Sequence, residues 1–301
     1  MSSTYPVVCF GEVLWEVLPD KFISGGASVN GAFHLKKLGI NPALITKIGM
    51  DKAGKELVNL LAAHGLTTDY FQADCDHPTG KLHTQTNEYD EALFDIAFPS
   101  AWDFIHWEDA FARLVSCAEF FVFGSLITRC QQSRETLYRL IETARVKVLD
   151  INLHAPYFNR RIVEELFGKI NILKLNLAEL ELITGWFSHF TDETDRIKLL
   201  QDRFCIETVI VTKGSKGAVL NTGAACFRHN GYRIEVADAT GSSDAFLAGF
   251  LSKLIDRSPP ESALEYACAA GALVASYPGA CPDYRPDEII RLMHTNQATT
   301  I

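Results

Sequence analysis

Strand-like and helix-like segments alternate along this chain, and that rhythm limits its fold more than any single motif. Short apolar runs at residues 7–11, 43–48, 120–123, 147–151, 172–175 and 208–212 read as buried strands. Helical spacing recurs over 28–38, ending at Gly39, over 54–64, stopped at Gly65, and over 133–145. Strands joined through helices by short connections pair in parallel, and a parallel sheet needs cover on both faces. The expected class is therefore α/β, a three-layer α/β/α arrangement around a central, mostly parallel sheet. No Pro/Gly/Ser-rich linker and no internal repeat interrupts residues 1–301, so a single domain is expected.

One segment breaks the rhythm. Residues 79–98 alternate in polarity around Asn87-Glu88-Tyr89-Asp90, the pattern of a hairpin, and the stretch after the first strand also looks extended. Residues 12–24 and 79–98 together predict a small β lid set apart from the main sheet; an ordinary edge hairpin fits the same pattern.

Bulk properties exclude several classes. A net charge of −9 argues against a nucleic-acid surface, which needs clustered Lys and Arg to neutralise phosphates. The eight cysteines are scattered without a C-x-x-C pair, so a zinc site is not expected and most read as reduced core thiols. No apolar run reaches membrane-spanning length, and Met-Ser-Ser-Thr-Tyr-Pro leads into the first strand without a leader pattern. A cytoplasmic location with no membrane partner is the expectation.

The most specific local signal lies at 236–250. There, Asp238-Ala239-Thr240-Gly241-Ser242-Ser243-Asp244 runs into Phe246, Leu247, Phe250, Leu251 and Leu254 at helical spacing. The first amides of such a helix have no partners within it and lie at the positive end of its dipole, an anion site. A carboxylate there repels a phosphate unless it works as a general base beside a transferring phosphoryl group. The competing reading makes Ser242 or Ser243 the N-cap, with Asp244 complementing the dipole.

Other polar clusters fall at strand ends, where open parallel sheets bind ligands. They are Glu12 and Glu16, Gly25 to Asn30, Asp150 to Asn152, Lys174 with Asn176 and Glu179, and Thr212 to Gly217. Each has a structural alternative: a turn at Gly25-Gly26, a helix start at Asn176 and Glu179, a hairpin at 213–217.

Four stretches occur in order: Gly11-Glu12-Val13-Leu14-Trp15-Glu16, Gly25-Gly26-Ala27-Ser28-Val29-Asn30, Ala101-Trp102-Asp103-Phe104-Ile105, and 238–246. Through them the chain resembles, over nearly its whole length, the ribokinase-like (PfkB) sugar kinases, and within these the bacterial fructokinases. The last stretch is similar to the signature Asp-Thr-x-Gly-Ala/Ser-Gly-Asp. Asn176-x-x-Glu179 and Val211-Thr212-Lys213-Gly214 resemble the family's metal and nucleotide segments.

The resemblance implies a kinase that moves the γ-phosphate of ATP to a sugar hydroxyl, with Asp244 as the base and the amides of Gly241, Ser242, Ser243 and Asp244 as the anion hole. Glu16, Gly26 and Asn30 would contact the sugar. Asn176, Thr212, Gly214 and Gly217 would line the nucleotide site, and Glu179, with Asn176, would organise Mg²⁺ through water. Many members also bind a monovalent cation, K⁺ for example. Its matching positions are Asp238, the carbonyls of Thr240, Val274, Tyr277 and Gly279, and Asp283, in a segment that also reads as a plain Pro/Gly turn. Pairing of lids in the family implies a homodimer.

Departures from the family pattern set the alternatives. Glu16 stands where fructokinases carry Asp, Ser243 where the family has Gly, Ala239 for Thr, and His154 for the Arg of Asp-x-Asn-Leu-Arg. A serine at 243 is strained if the backbone there is left-handed and tolerated if it is helical. His154 offers only a pH-dependent charge where Arg supplies a permanent one. A weakened member that senses sugar or nucleotide is therefore the second reading. A kinase for ribose, a nucleoside or 2-keto-3-deoxygluconate is the third.

Overall fold

A computed structural model describes residues 4–18, 22–86 and 92–297. They form two compact units: Met1–Phe33 with Asn41–Arg145, and His34–Ile40 with Val146–Ile301.

In the first unit, β1 (Val7–Phe10) is buried along its whole length, which explains its unbroken Val-Val-Cys-Phe run. Two nearby strands are β2 (Leu14–Val17) and β3 (Phe22–Gly25), followed by helix α1 (Ala27–Lys37), whose last turn belongs to the second unit. Next come β4 (Pro42–Gly49), α2 (Lys52–Ala63), β5 (Phe71–Asp74), β6 (Gly80–Thr86) and β7 (Ala92–Ile96). The unit closes with α3 (Asp109–Cys117), β8 (Phe120–Gly124) and α4 (Gln131–Ile141). Strand β1 pairs in parallel with β4 and β8, and β4 with β5.

The expected separate sheet is present, in the order β3-β2-β6-β7. Strands β2 and β3 are antiparallel, β2 and β6 parallel, and β6 and β7 form the antiparallel hairpin read from 79–98. Its turn at Asn87-Glu88-Tyr89-Asp90 lies outside the described residues.

The second unit contains β9 (Val146–Asp150), α5 (Arg160–Phe167), β10 (Ile172–Asn176), α6 (Leu177–Thr184), α7 (Glu193–Phe204) and β11 (Thr208–Thr212). After these come β12 (Ala218–Asn221), β13 (Cys226–His229), α8 (Ser242–Ile255), α9 (Pro260–Ala275) and α10 (Pro286–Gln297). Strands β9, β10 and β11 are parallel, whereas β12 and β13 turn back antiparallel. Helix α8 is buried from Ala245 to Ser252, so it is apolar nearly all round and seats its polar N-terminal turn on a rigid core element.

Parallel strands flanked by helices, with a few antiparallel strands, match the expected α/β class. The cysteine expectation fails. Only Cys9 and Cys268 are buried, while Cys75, Cys117, Cys205 and Cys226 are exposed. Apolar neighbours in sequence do not bury a residue that a helix end or edge strand turns outward. All eight are free thiols.

Candidate active site

The turn before α8 bears on both readings of Asp244. Gly241 occupies the N-cap position with φ +76°, and no side chain caps the helix. A Cβ at 241 would lie 2.2 Å from the Ala280 carbonyl oxygen, so this position needs glycine for both its dihedral and its close approach. Both serines are engaged elsewhere. Ser242 Oγ donates to the Gly271 carbonyl at 2.9 Å, and Ser243 Oγ accepts from Lys174 Nζ at 2.6 Å. The serine-cap reading is therefore corrected: the N-cap position belongs to Gly241, and neither hydroxyl accepts from a first-turn amide. Ser242 N bonds Ala239 O, and the amides of Gly241 and Ser243 reach no backbone carbonyl among the described residues. Asp244 lies in this first turn, half-buried, at the positive end of the helix.

Ser243 is not among the residues with positive φ. The left-handed position is Gly241, two residues earlier, and Ser243 stands in ordinary helix. The strain considered for it does not arise. Ala239 loses a hydroxyl but still uses its carbonyl on Ser242 N, at 3.3 Å.

Behind the turn lies a buried ion pair. Lys174, in β10, is 1% exposed, and its Nζ donates to Asp150 Oδ2 at 2.5 Å as well as to Ser243 Oγ. Asp150 ends β9 and Asn176 ends β10, so adjacent parallel strands deliver these groups to the same end of the sheet.

Asn176 and Glu179 form a capping box at the head of α6: Glu179 N donates to Asn176 Oδ1 at 2.9 Å and Asn176 N to Glu179 Oε2 at 2.8 Å. Glu179 Oε1 accepts from Leu153 N at 2.8 Å, tying α6 to the segment after β9. Burial pushes the Glu179 carboxyl above its ordinary value, against the pull of those two amides. The helix-start reading of this pair is thus part of the structure, and a metal role would be added to it. Each carboxylate oxygen keeps a further lone pair, so the pair fits an ion held through water. Thr212 is in register with Asn176 on the neighbouring strand. The 213–217 segment joins antiparallel β11 and β12, as its hairpin reading predicted. It includes a short 3₁₀ turn over Gly214–Lys216, and Gly217 follows as its cap.

The 238–240 and 276–283 segments meet. Asp238 Oδ1 accepts from Thr240 N and Oγ1 at 2.9 and 2.7 Å, and Oδ2 from Gly279 N at 3.0 Å. The carbonyls of Thr240, Tyr277 and Gly279 accept no backbone amide among the described residues, whereas Val274 O takes Tyr277 N. Unspent neutral carbonyls beside a carboxylate fit a weakly charged cation. The Asp283 side chain is 97% exposed and pairs with the Lys37 ammonium. Among the described residues no group of three or more His, Cys, Asp or Glu is poised to hold a metal. His154 is half-buried, and burial holds its pKa below the ordinary value, so it is uncharged at neutral pH.

In the first unit, Glu12 follows β1 and is buried, with Oε1 accepting from Ala27 N at 2.9 Å. A remote carboxylate thus serves the start of α1. Gly26, φ +108°, brings its Cα so near that a Cβ would sit 2.5 Å from Glu12 O, and its own carbonyl accepts from Val29 N and Asn30 N. Gly26 and the buried Asn30 are therefore together, with Glu12 beneath them. Glu16 lies half-buried on β2, paired with Ile23 of β3. Sequence reasoning noted Glu12 but gave it no role; a charged residue directly after an all-apolar strand was the signal. It also missed Arg129, which clamps Asp103 at 2.7 and 2.8 Å and stacks on Trp102 at 3.9 Å. Nothing in the local pattern marks Arg129.

A mostly parallel α/β scaffold, a separate four-stranded sheet and a Gly-Ser-Ser-Asp turn heading a buried helix define the ribokinase-like class of sugar kinases. Residues 5–287 match the model of the pfkB family of carbohydrate kinases, and the chain belongs to that family. It is 29% identical over 305 residues to a probable chloroplastic fructokinase-6 of Arabidopsis thaliana, covering 92% of this chain and 79% of that protein. It is 26% identical to a 2-dehydro-3-deoxygalactonokinase of Haloferax volcanii, covering 98% of both. A double-mutant fructokinase of Vibrio cholerae O395, solved in a fructose-, ADP- and potassium-ion-bound form, superposes with a TM-score of 0.83 at 21% identity. That match covers 97% of this chain and 99% of the other.

Proposed function

We propose that this protein is an ATP-dependent sugar kinase acting on fructose, with its two units working as one kinase domain. The observation that carries the reading is Asp244 in the first turn of α8, beside amides that no backbone carbonyl uses. In the proposed reaction the Asp244 carboxylate takes the proton of a sugar hydroxyl. That oxygen forms a bond to the γ-phosphorus, and the bond from γ-phosphorus to the bridging oxygen breaks, its electron pair leaving with ADP. The amides of Gly241 and Ser243, which no backbone carbonyl takes among the described residues, stabilise the charge carried by the phosphoryl group in passage. Gly26, Asn30 and Glu16 hold the sugar. Thr212, Gly214, Gly217 and Asn176 hold the nucleotide.

Mg²⁺, organised through water by Glu179 and Asn176, would offset phosphate charge when bound. K⁺ would be held by the carbonyls of Thr240, Tyr277 and Gly279 near Asp238, steadying the loop against which Gly241 turns. Among the described residues no helix is long and apolar enough to cross a membrane, which fits a cytoplasmic place of action. Phe22 on β3, 63% exposed, supports a homodimer through the small sheet.

The test is an ATP-coupled assay over hexoses, pentoses, nucleosides and 2-keto-3-deoxy acids, with Mg²⁺ and with or without K⁺. Fructose as the best substrate supports the reading, and a keto-acid preference would move the assignment toward the Haloferax relative's chemistry. The sensor reading keeps one supporting observation, the uncharged His154. Tight sugar binding without turnover in the same assay would favour it.

A further inference from the structure

We propose that Ser243 supplies a hydroxyl donor to the phosphoryl group in passage, and that buried Lys174 is the positioning residue that aims it. The inference deepens the kinase reading and rests on it.

An ammonium has three hydrogens and no lone pair, so in the Lys174–Ser243 contact at 2.6 Å the serine oxygen accepts. The hydroxyl hydrogen must then point away from Lys174. Among the described residues Ser243 has no protein acceptor for it, and the residue is exposed at the head of α8. The lysine is fixed on its other side by Asp150 at 2.5 Å and is 1% exposed, so it cannot swing off. Accepting from a cation polarises a hydroxyl and strengthens it as a donor. Ser243 therefore presents an oriented, activated O–H on the same turn as the unspent amides of Gly241 and Ser243 and directly before Asp244. The Asp150 carboxylate balances the lysine charge, so the turn gains a donor without a bare buried cation. During transfer the hydroxyl keeps its proton. It shares that proton with a non-bridging oxygen of the γ-phosphoryl while the sugar proton goes to Asp244.

Steady-state kinetics of the full-length protein with ATP, Mg²⁺ and its best sugar test this. Wild-type turnover that disappears in Asp244→Asn secures the kinase reading; an inactive wild type would bring that reading down by itself. Given an active wild type, Ser243→Ala and Ser243→Gly are each expected to lose about tenfold or more in kcat. Both KM values should stay within about twofold, because the contact is made in the transition state. Ser243→Thr, which keeps the hydroxyl, should recover most of the rate. Lys174→Met should lose a similar factor, and Lys174→Met/Ser243→Ala should be no slower than the slower single variant. Wild-type kcat or better in Ser243→Ala or Ser243→Gly overturns the proposal, as does a double variant whose losses multiply. Thermal melts accompany every variant. If Lys174→Met does not fold, the three Ser243 variants decide alone.

Discussion

His34 Nε2 lies 3.0 Å from the Ala280 carbonyl oxygen, and His34 Nδ1 lies 3.2 Å from the Tyr284 hydroxyl. A carbonyl only accepts, so Nε2 carries the proton and Nδ1 accepts from the tyrosine. The ring bolts the end of α1 to the loop on which Gly241 turns. Burial holds its pKa down at about 4, so folding favours the neutral ring. Between that value and the ordinary 6.5 the unfolded chain binds more protons, so stability is complete above 6.5 and declines as pH falls toward 4. The loss from this one group reaches about 3 kcal/mol. Urea midpoints from pH 7.5 to 4.5 should fall more steeply for the wild type than for His34→Gln; parallel curves would contradict this.

Gly241→Ala should cost stability and rate together. A non-glycine residue in the left-handed region costs about 1–2 kcal/mol, before the 2.2 Å approach of its Cβ to Ala280 O is relieved. A lowered Tm with a fall in kcat is the expected pair. An unchanged Tm would show that the loop yields easily.

The Arg129–Asp103 pair is buried on both sides. Arg129→Leu leaves a carboxylate without compensation and should cost about 3–5 kcal/mol, whereas Arg129→Leu/Asp103→Asn should recover part of it. Denaturant midpoints of the two variants distinguish a buried charge from lost packing, which the second change would not restore.

Glu12→Ala should act on the sugar and not on the nucleotide. Removing the carboxylate strands Ala27 N at the start of α1, a loss of about 1.5–3 kcal/mol for a charged hydrogen bond. Translated to the Gly26–Asn30 turn, this predicts a sugar KM about tenfold higher with the ATP KM within about twofold. Equal changes in both would argue against a sugar-side role.

The apolar runs located β1, β4, β8, β9, β10 and β11 because parallel strands are buried on both faces and show no other pattern, whereas β5, β12 and β13 went unread. The loop at 236–250 was legible for the same reason: polar residues abut a helix that is apolar nearly all round. What stayed hidden depends on contacts far apart in sequence. Lys174 meets Ser243, Glu12 serves Ala27, Arg129 clamps Asp103, and Lys37 pairs with Asp283. No local spacing encodes such pairs. The serine-cap reading failed because hydroxyl partners are set by tertiary structure, and the cysteine reading failed because burial is not inherited from neighbours in sequence.

The central claim is that Asp244 removes the sugar proton. Asp244→Asn keeps the shape of the turn and removes the base, so kcat with ATP and fructose should fall by about a thousandfold. Calorimetric fructose binding should be unchanged. An Asp244→Asn protein that keeps more than about a tenth of wild-type kcat would contradict the assignment, since loss of a working general base costs about a hundredfold at the least.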